Sequence, residues 1–181
     1  MHATRIGPLV QVAVVVVVHA GLVGCAGEAP PAVTRAAAPL ASRSGSAVTG
    51  MANFAVAGDK VALTLTVTGA TPGVHAAHLH ATGDCSAADA TSAMGHWNPD
   101  MMNHGLPTAA PHHLGDCGNF TVAADGTGKL TFTGDWAIGT GGVNDIVGKA
   151  IIVHASPDDG VTQQPPGNAG ARVACGVVAM Q

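Results

Sequence analysis

At 181 residues the chain has room for one domain plus extra segments, and its formal charge is −4 at pH 7. From residue 48 onward four basic residues face ten acidic ones, a balance of about −6, which argues against a nucleic-acid-binding surface. Apolar residues make up 47% of the chain but aromatic ones only 3%, with 25 Gly and 11 Pro, so a core must come from small and β-branched side chains on short strands rather than from long helices.

Residues 1–24 read as an export signal. Arg5 supplies the positive charge, and Leu9 to Val18 form an apolar run too short to span a bilayer. Leu22-Val23-Gly24-Cys25 resembles a bacterial lipobox, which implies cleavage before Cys25 and its lipidation. Several acyl chains hold a protein on a membrane far better than one. Residues 25–47 then read as the lipidated Cys25 and a flexible tether, rich in Ala, Pro and Ser without a period and carrying Arg35 and Arg43. The folded domain is expected over 48–181.

Within that domain the pattern alternates with period two. Phe54/Val56 and Val61/Leu63/Leu65/Val67 predict a hairpin around Gly58-Asp59. Val74 to His80 predicts the next strand. Asn119 to Ala123 and Lys129 to Thr133 predict a second hairpin, and Ile146 to His154 and Arg172 to Ala179 two further strands. Six to eight short strands joined by turns argue for an all-β antiparallel sandwich or barrel. Two stretches, 85–118 and 156–171, have no period, and loops that long in a compact domain are usually functional or disordered.

The chemistry gathers in and beside those loops. Eight of the ten histidines, at 75, 78, 80, 96, 104, 112, 113 and 154, lie there. Imidazole is the commonest protein metal ligand. In His78-Leu79-His80 the two rings share a strand face while Ala77 and Leu79 point to the core. The long loop adds His96, His104, His113 and Asp116; three imidazoles and a carboxylate suit tetrahedral zinc, whereas copper(II) favours four imidazoles. The ligand types suggest two sites of different character, which spacing alone does not assign.

Several motifs, in order, carry a resemblance. These are Val74–His80 followed by Gly83-Asp84-Cys85; Gly95-His96-Trp97-Asn98-Pro99; His104-Gly105; and His113-Leu114-Gly115-Asp116 with Asn119. They continue with Gly148–His154 and Asp158, and with Gly167-Asn168-Ala169-Gly170-Ala171-Arg172 leading to Cys175. Together they resemble the copper–zinc superoxide dismutase family, in a bacterial exported lipoprotein form, across about residues 48–181. The resemblance implies an eight-stranded antiparallel Greek-key β-barrel with one copper and one zinc ion per subunit. It implies copper on His78, His80, His96 and His154, and zinc on His96, His104, His113 and Asp116, with His96 shared. Asp158 would join a copper histidine to a zinc histidine, Arg172 would draw in and orient the anion, and Cys85 would pair with Cys175. The implied reaction is dismutation of superoxide to dioxygen and hydrogen peroxide, protecting the cell envelope, with Arg172 and His96 as catalytic residues.

The sequence departs from many relatives in 156–171, where Gln163, Gln164, Pro165 and Pro166 stand and no Lys or Glu is present. Steering of the anion is then weaker, or is supplied by Lys60, Lys129 or Lys149. Cys117 reads as a small buried side chain, His75 as a buttress, Trp97 as loop packing, and His113 rather than His112 as the ligand. Met94, Met101 and Met102 read as gap fillers, with Cu(I) acquisition as the alternative. The competing reading of the whole chain is a copper-buffering or copper-delivery lipoprotein, which would have less need of Arg172, a shared His96 or Asp158. Expected partners are superoxide and, through the N-terminal lipid alone, a membrane; a homodimer is allowed but not required.

Overall fold

The computed structural model describes Met1 and residues 34–181. The export segment, Cys25 and the start of the tether therefore lie outside the described residues. The chain divides into two units, Met1–Pro31 and Ala32–Gln181, and the fold below is that of the second.

Nine strands follow one another: β1 Arg35–Ser42, β2 Thr49–Ala57, β3 Lys60–Thr68, β4 Gly73–His80, β5 Asp116–Val122, β6 Gly128–Gly134, β7 Ala150–His154, β8 Arg172–Val177 and the two-residue β9 Ala179–Met180. Their spatial order is β2-β3-β6-β5-β4-β7-β8-β1-β9, and pairing of β1 with β2 closes the sheet. All pairs are antiparallel. The result is the expected eight-stranded Greek-key barrel, with β9 a short addition beside β1.

Period two builds the interior. Val61, Leu63, Leu65 and Val67 on β3 are each at most 1% exposed, and the residues between them face outward. The β2–β3 register sets Phe54 opposite Leu63 and Ala57 opposite Lys60, with Gly58 at φ +68° turning the hairpin. Phe54 meets Trp136 edge to face at 6.0 Å between ring centroids. Truncating a residue such as Leu65 to Ala would cost about 2–5 kcal/mol.

The tether expectation is corrected by β1. Arg35–Ser42 is a barrel strand, with Ala36, Ala38 and Leu40 in the core. Its Ala-Pro composition imitates a linker because alanine shows little contrast between inward and outward positions. Pro39, which has no N–H, sits between the pairing of β1 with β9 at Ala36 and Ala37 and its pairing with β8 at Ala41 and Ser42, so it breaks no ladder on that flank. Smaller shifts occur elsewhere. Residues 146–149 form a turn closed by Lys149 N donating to Ile146 O (3.0 Å), so β7 begins at Ala150. β5 begins three residues before the expected start, at Asp116.

Candidate metal centre

The outer face of β4 carries His78 and His80, while Ala77 and Leu79 face the core. β7 lies beside it in the register His78↔Ile152, and its last residue, His154, pairs across to Arg172 at the start of β8. The long loop returns along β4 like an extra strand. Trp97 N donates to Leu79 O (2.8 Å), Ala81 N to Gly95 O (2.9 Å) and Leu79 N to Gly115 O (2.8 Å). Alternation then turns Trp97 into the core and His96 outward beside His78 and His80. Gly115 is required there, since a Cβ would lie 2.3 Å from Leu79 O and 3.0 Å from the Trp97 backbone.

This layout brings all seven expected ligand residues together. His78, His80, His96 and His154 offer ring nitrogens within 4.8 Å of one another, and so do His96, His104, His113 and Asp116 with their nitrogens and carboxylate oxygen. His96 belongs to both groups. Its Nδ1 lies 2.8 Å from Asp116 Oδ1, and its ring centroid is 3.9 Å from that of His78 and 5.0 Å from that of His80. Asp116 Oδ2 also accepts from His113 N (2.7 Å), and His104 Nδ1 lies 3.1 Å away.

The remaining nitrogens orient the rings. Asp158, on the 155–171 loop, accepts from His78 Nε2 at Oδ2 (2.7 Å) and from His104 Nε2 at Oδ1 (2.9 Å). One carboxylate thus fixes a ring in each group. Asp158 is itself fixed by Gly160 N (2.7 Å) and by a two-way clip in which Asn119 Oδ1 accepts from Asp158 N and Asn119 Nδ2 donates to Asp158 O. His80 Nδ1 donates to Met94 O (2.8 Å). Burial would raise the Asp158 carboxyl, but the His78 and His104 hydrogen bonds bring it down to about 2. Burial likewise opposes the His113 and His96 hydrogen bonds at Asp116, and the hydrogen bonds win, leaving it well below the usual carboxylate range. Burial keeps His80 and His154 neutral and lowers His96 to about 4. Neutral imidazole and ionised carboxylate are the forms that bind metal.

The donor set passes a direct test of fit. Among the described residues five buried ring nitrogens form no hydrogen bond: His78 Nδ1, His80 Nε2 and His154 Nε2, and also His104 Nδ1 and His113 Nδ1, which lie 3.1 and 3.4 Å from Asp116 oxygens without bonding geometry. Three belong to the all-histidine group and two to the group with Asp116. Each buried unpartnered nitrogen costs about 1–3 kcal/mol, so five would cost on the order of a small domain's entire stability. A four-nitrogen set suits copper, and a three-nitrogen, one-carboxylate set suits zinc.

Beside the all-histidine group opens a cleft of about 250 Å³ lined by His80, His96, His154, Pro165, Pro166 and Arg172, among others. Among the described residues Arg172 is its only Lys or Arg, and its Nη1 donates to Ala90 O (2.7 Å). None of the three lysines considered for steering lines the cleft. Lys60 pairs with Asp135 (2.5 Å), and Lys149 lies 5.3 Å over the Trp97 ring. The disulfide joins Cys85 to Cys175, 90 residues apart. Cys117 is buried and free, and burial pushes its thiol pKa up. His75 buttresses as expected, its Nδ1 2.8 Å from His154 O and its Nε2 2.8 Å from Thr71 O. His112 Nδ1 lies 2.9 Å from the His113 carbonyl oxygen, and His112 joins neither group. The gap-filling expectation for Met94, Met101 and Met102 is corrected, since all three are exposed.

One contributor escaped sequence reasoning. Gln163 accepts from His104 N at Oε1 (2.8 Å) and donates from Nε2 to His104 O (3.1 Å), clamping the 155–171 loop to the backbone of a donor-group residue. Nothing local in Thr162-Gln163-Gln164 announces this, because both partners are backbone atoms 59 positions away.

The sequence model of the family described as copper/zinc superoxide dismutase (SODC) matches residues 48–178. Superoxide dismutase (Cu-Zn) 2 of Brassica juncea is 43% identical over 140 residues, covering 74% of this chain and 91% of that protein. The crystal structure of the clock protein EA4 superposes with a TM-score of 0.72 at 31% identity, covering 85% of this chain and 99% of that one. A barrel with these two donor groups, matched over most of its length by that family, belongs to the copper/zinc superoxide dismutases, oxidoreductases that use copper and zinc.

Proposed function

We propose that the protein dismutates superoxide, converting two superoxide anions and two protons to dioxygen and hydrogen peroxide. The observation that carries this reading is the pair of donor groups with five orphaned ring nitrogens, sharing His96 and opening onto a cleft with a single cation. His78, His80, His96 and His154 would hold copper, and His96, His104, His113 and Asp116 would hold zinc. Copper, when bound, supplies a one-electron couple, and zinc, which has no redox chemistry, supplies charge and geometry.

The chain's own residues do the rest. Arg172 receives the small anion, since a guanidinium at the cleft attracts and orients it. Pro165 and Pro166, which also line the cleft, present no N–H donors to compete. His96 has Nδ1 committed beside Asp116, so a proton is held or released at Nε2 alone. Asp158 keeps the His78 and His104 protons on Nε2, leaving both Nδ1 atoms open. A copper buffer would need neither Arg172 at the cleft nor one carboxylate spanning both groups.

The proposed location is the cell envelope, with the chain exported and held by lipid at Cys25. Support comes from Arg5, the apolar run and Gly24-Cys25 in the sequence, and from a disulfide that suits an oxidising compartment. Superoxide removal by the copper- and zinc-loaded protein, beside Arg172→Ala and His96→Ala, tests the activity. Full occupancy of both metals without dismutation refutes it. Incorporation of labelled palmitate that persists in Cys25→Ser refutes the anchor.

A further inference from the structure

The turn that follows β1 closes a ring of hydrogen bonds around Arg172. The guanidinium donates from Nη1 to Ala90 O (2.7 Å), and Ala90 holds φ at +58°, an uncommon angle for alanine. The stretch Cys85–Ala90 is gripped from its other side. Arg43 donates to Cys85 O from both Nε (2.9 Å) and Nη2, and Ser44 N donates to Ala88 O (2.8 Å). The same turn also holds the main chain at Arg172. Ser44 Oγ donates to Arg172 O (2.9 Å), and Arg43 N donates to Val173 O (2.9 Å). Side chain and backbone of Arg172 are therefore both referenced to Arg43 and Ser44.

We propose that Arg43 and Ser44 are positioning residues that set the Arg172 guanidinium at the cleft. The inference rests on the reading above, in which Arg172 receives the anion. Neither residue lines the cleft, so each acts through Arg172. The disulfide ties the Cys85 sulfur to β8, and Ser92 bonds Asp84 O and Ala87 N within the loop, but among the described residues the only hydrogen bonds to the Cys85 and Ala88 carbonyls come from Arg43 and Ser44. The Arg43 fork and the Ser44 amide fix the direction of those carbonyls. A long arginine stem has many rotamers, and one acceptor on a loose loop would select among them poorly.

Three variants separate this role from simple stabilisation. Ser44→Gly removes the hydroxyl, keeps the N–H and suits the residue's φ of +53°. Arg43→Gln removes the fork, and Arg43→Lys keeps the charge without it. The probe is azide, a small monovalent anion, titrated into copper- and zinc-loaded protein by its visible spectrum, beside superoxide turnover. Exchange of the Ala90 amide is followed in the metal-free protein. Ser44→Gly and Arg43→Gln should keep both metals, weaken azide about 3- to 10-fold, slow turnover by a similar factor and speed Ala90 exchange, with Arg43→Lys between. In an Arg172→Ala background Arg43→Gln should cause no further loss of azide affinity. Unchanged azide affinity, or an equal further loss in that background, overturns the proposal. Azide affinity that depends on Arg43 in a wild-type protein that does not remove superoxide upholds the positioning role and refutes the dismutase reading.

Discussion

Replacing Asp158 by Ala should weaken the hold on both metals, although Asp158 belongs to neither donor group. Its two oxygens accept from His78 Nε2 at 2.7 Å and His104 Nε2 at 2.9 Å. Without it, each ring loses the partner that keeps its proton away from the open Nδ1, and each buried Nε2 is left unsatisfied. A lost partner for a buried group is worth about 1–3 kcal/mol, and outer partners of metal histidines typically contribute about 10- to 100-fold in affinity. The expected loss is therefore about 10- to 100-fold for copper and for zinc alike. Competition against a chelator, run separately for each metal on the purified domain, measures it, and circular dichroism checks the fold. Asp158→Asn keeps one acceptor oxygen and places an amide NH2 against the other ring, so it should injure one site more than the other. Copper and zinc affinities within about threefold of wild type in a folded Asp158→Ala protein would refute the reasoning.

Removing the clamp in Gln163→Ala should speed zinc release about 3- to 10-fold and leave copper retention near wild type, because its hydrogen bonds across the loops end on His104, the third being local to Val161 O; equal zinc release refutes this. With Arg172 the only cation in the cleft, the turnover rate should fall modestly as salt rises. A steep salt dependence that survives Arg172→Ala would place the steering charge elsewhere. The metal-free domain should lose stability in acid. His80, His96 and His154 have lowered pKa values in the fold, chiefly through burial, so the unfolded chain binds protons that the folded chain refuses. Stability should fall as pH drops from 6.5 toward 4, by up to about 1.4 kcal/mol per pH unit per group. Further down, protonation of Asp116 and Asp158 adds to the loss. Urea midpoints at pH 7.5 and pH 5 measure the first part, and a higher midpoint at pH 5 contradicts it.

The residues of the two donor groups were legible because they sit where a strong local rule meets a motif. Period two placed His78 and His80 on one face and Leu79 on the other, and the ordered motifs supplied His96, His104, His113, Asp116, His154 and Asp158. β1 was not legible, because Ala-Ala-Ala-Pro carries almost no contrast between core and surface positions, and its strand character comes from closing the barrel between β2 and β8. Arg43, Ser44 and Gln163 were missed for a related reason. Each acts on carbonyls or amides far along the chain, and a backbone acceptor leaves no trace in residue type. The three methionines misled differently: beside His96 and His104 they suggested packing, but the loop that carries them turns them outward.

That β1 belongs to the barrel also orients the molecule. The chain enters β1 at Arg35, and the cleft arginine lies past the other end, where Ser42 pairs with Ala174. Eight residues of strand separate the two, about 25 Å at 3.2–3.4 Å per residue. The described chain therefore enters the barrel one strand length from the mouth of the cleft, so anything that grips the domain at Arg35 acts at the end away from the anion's path.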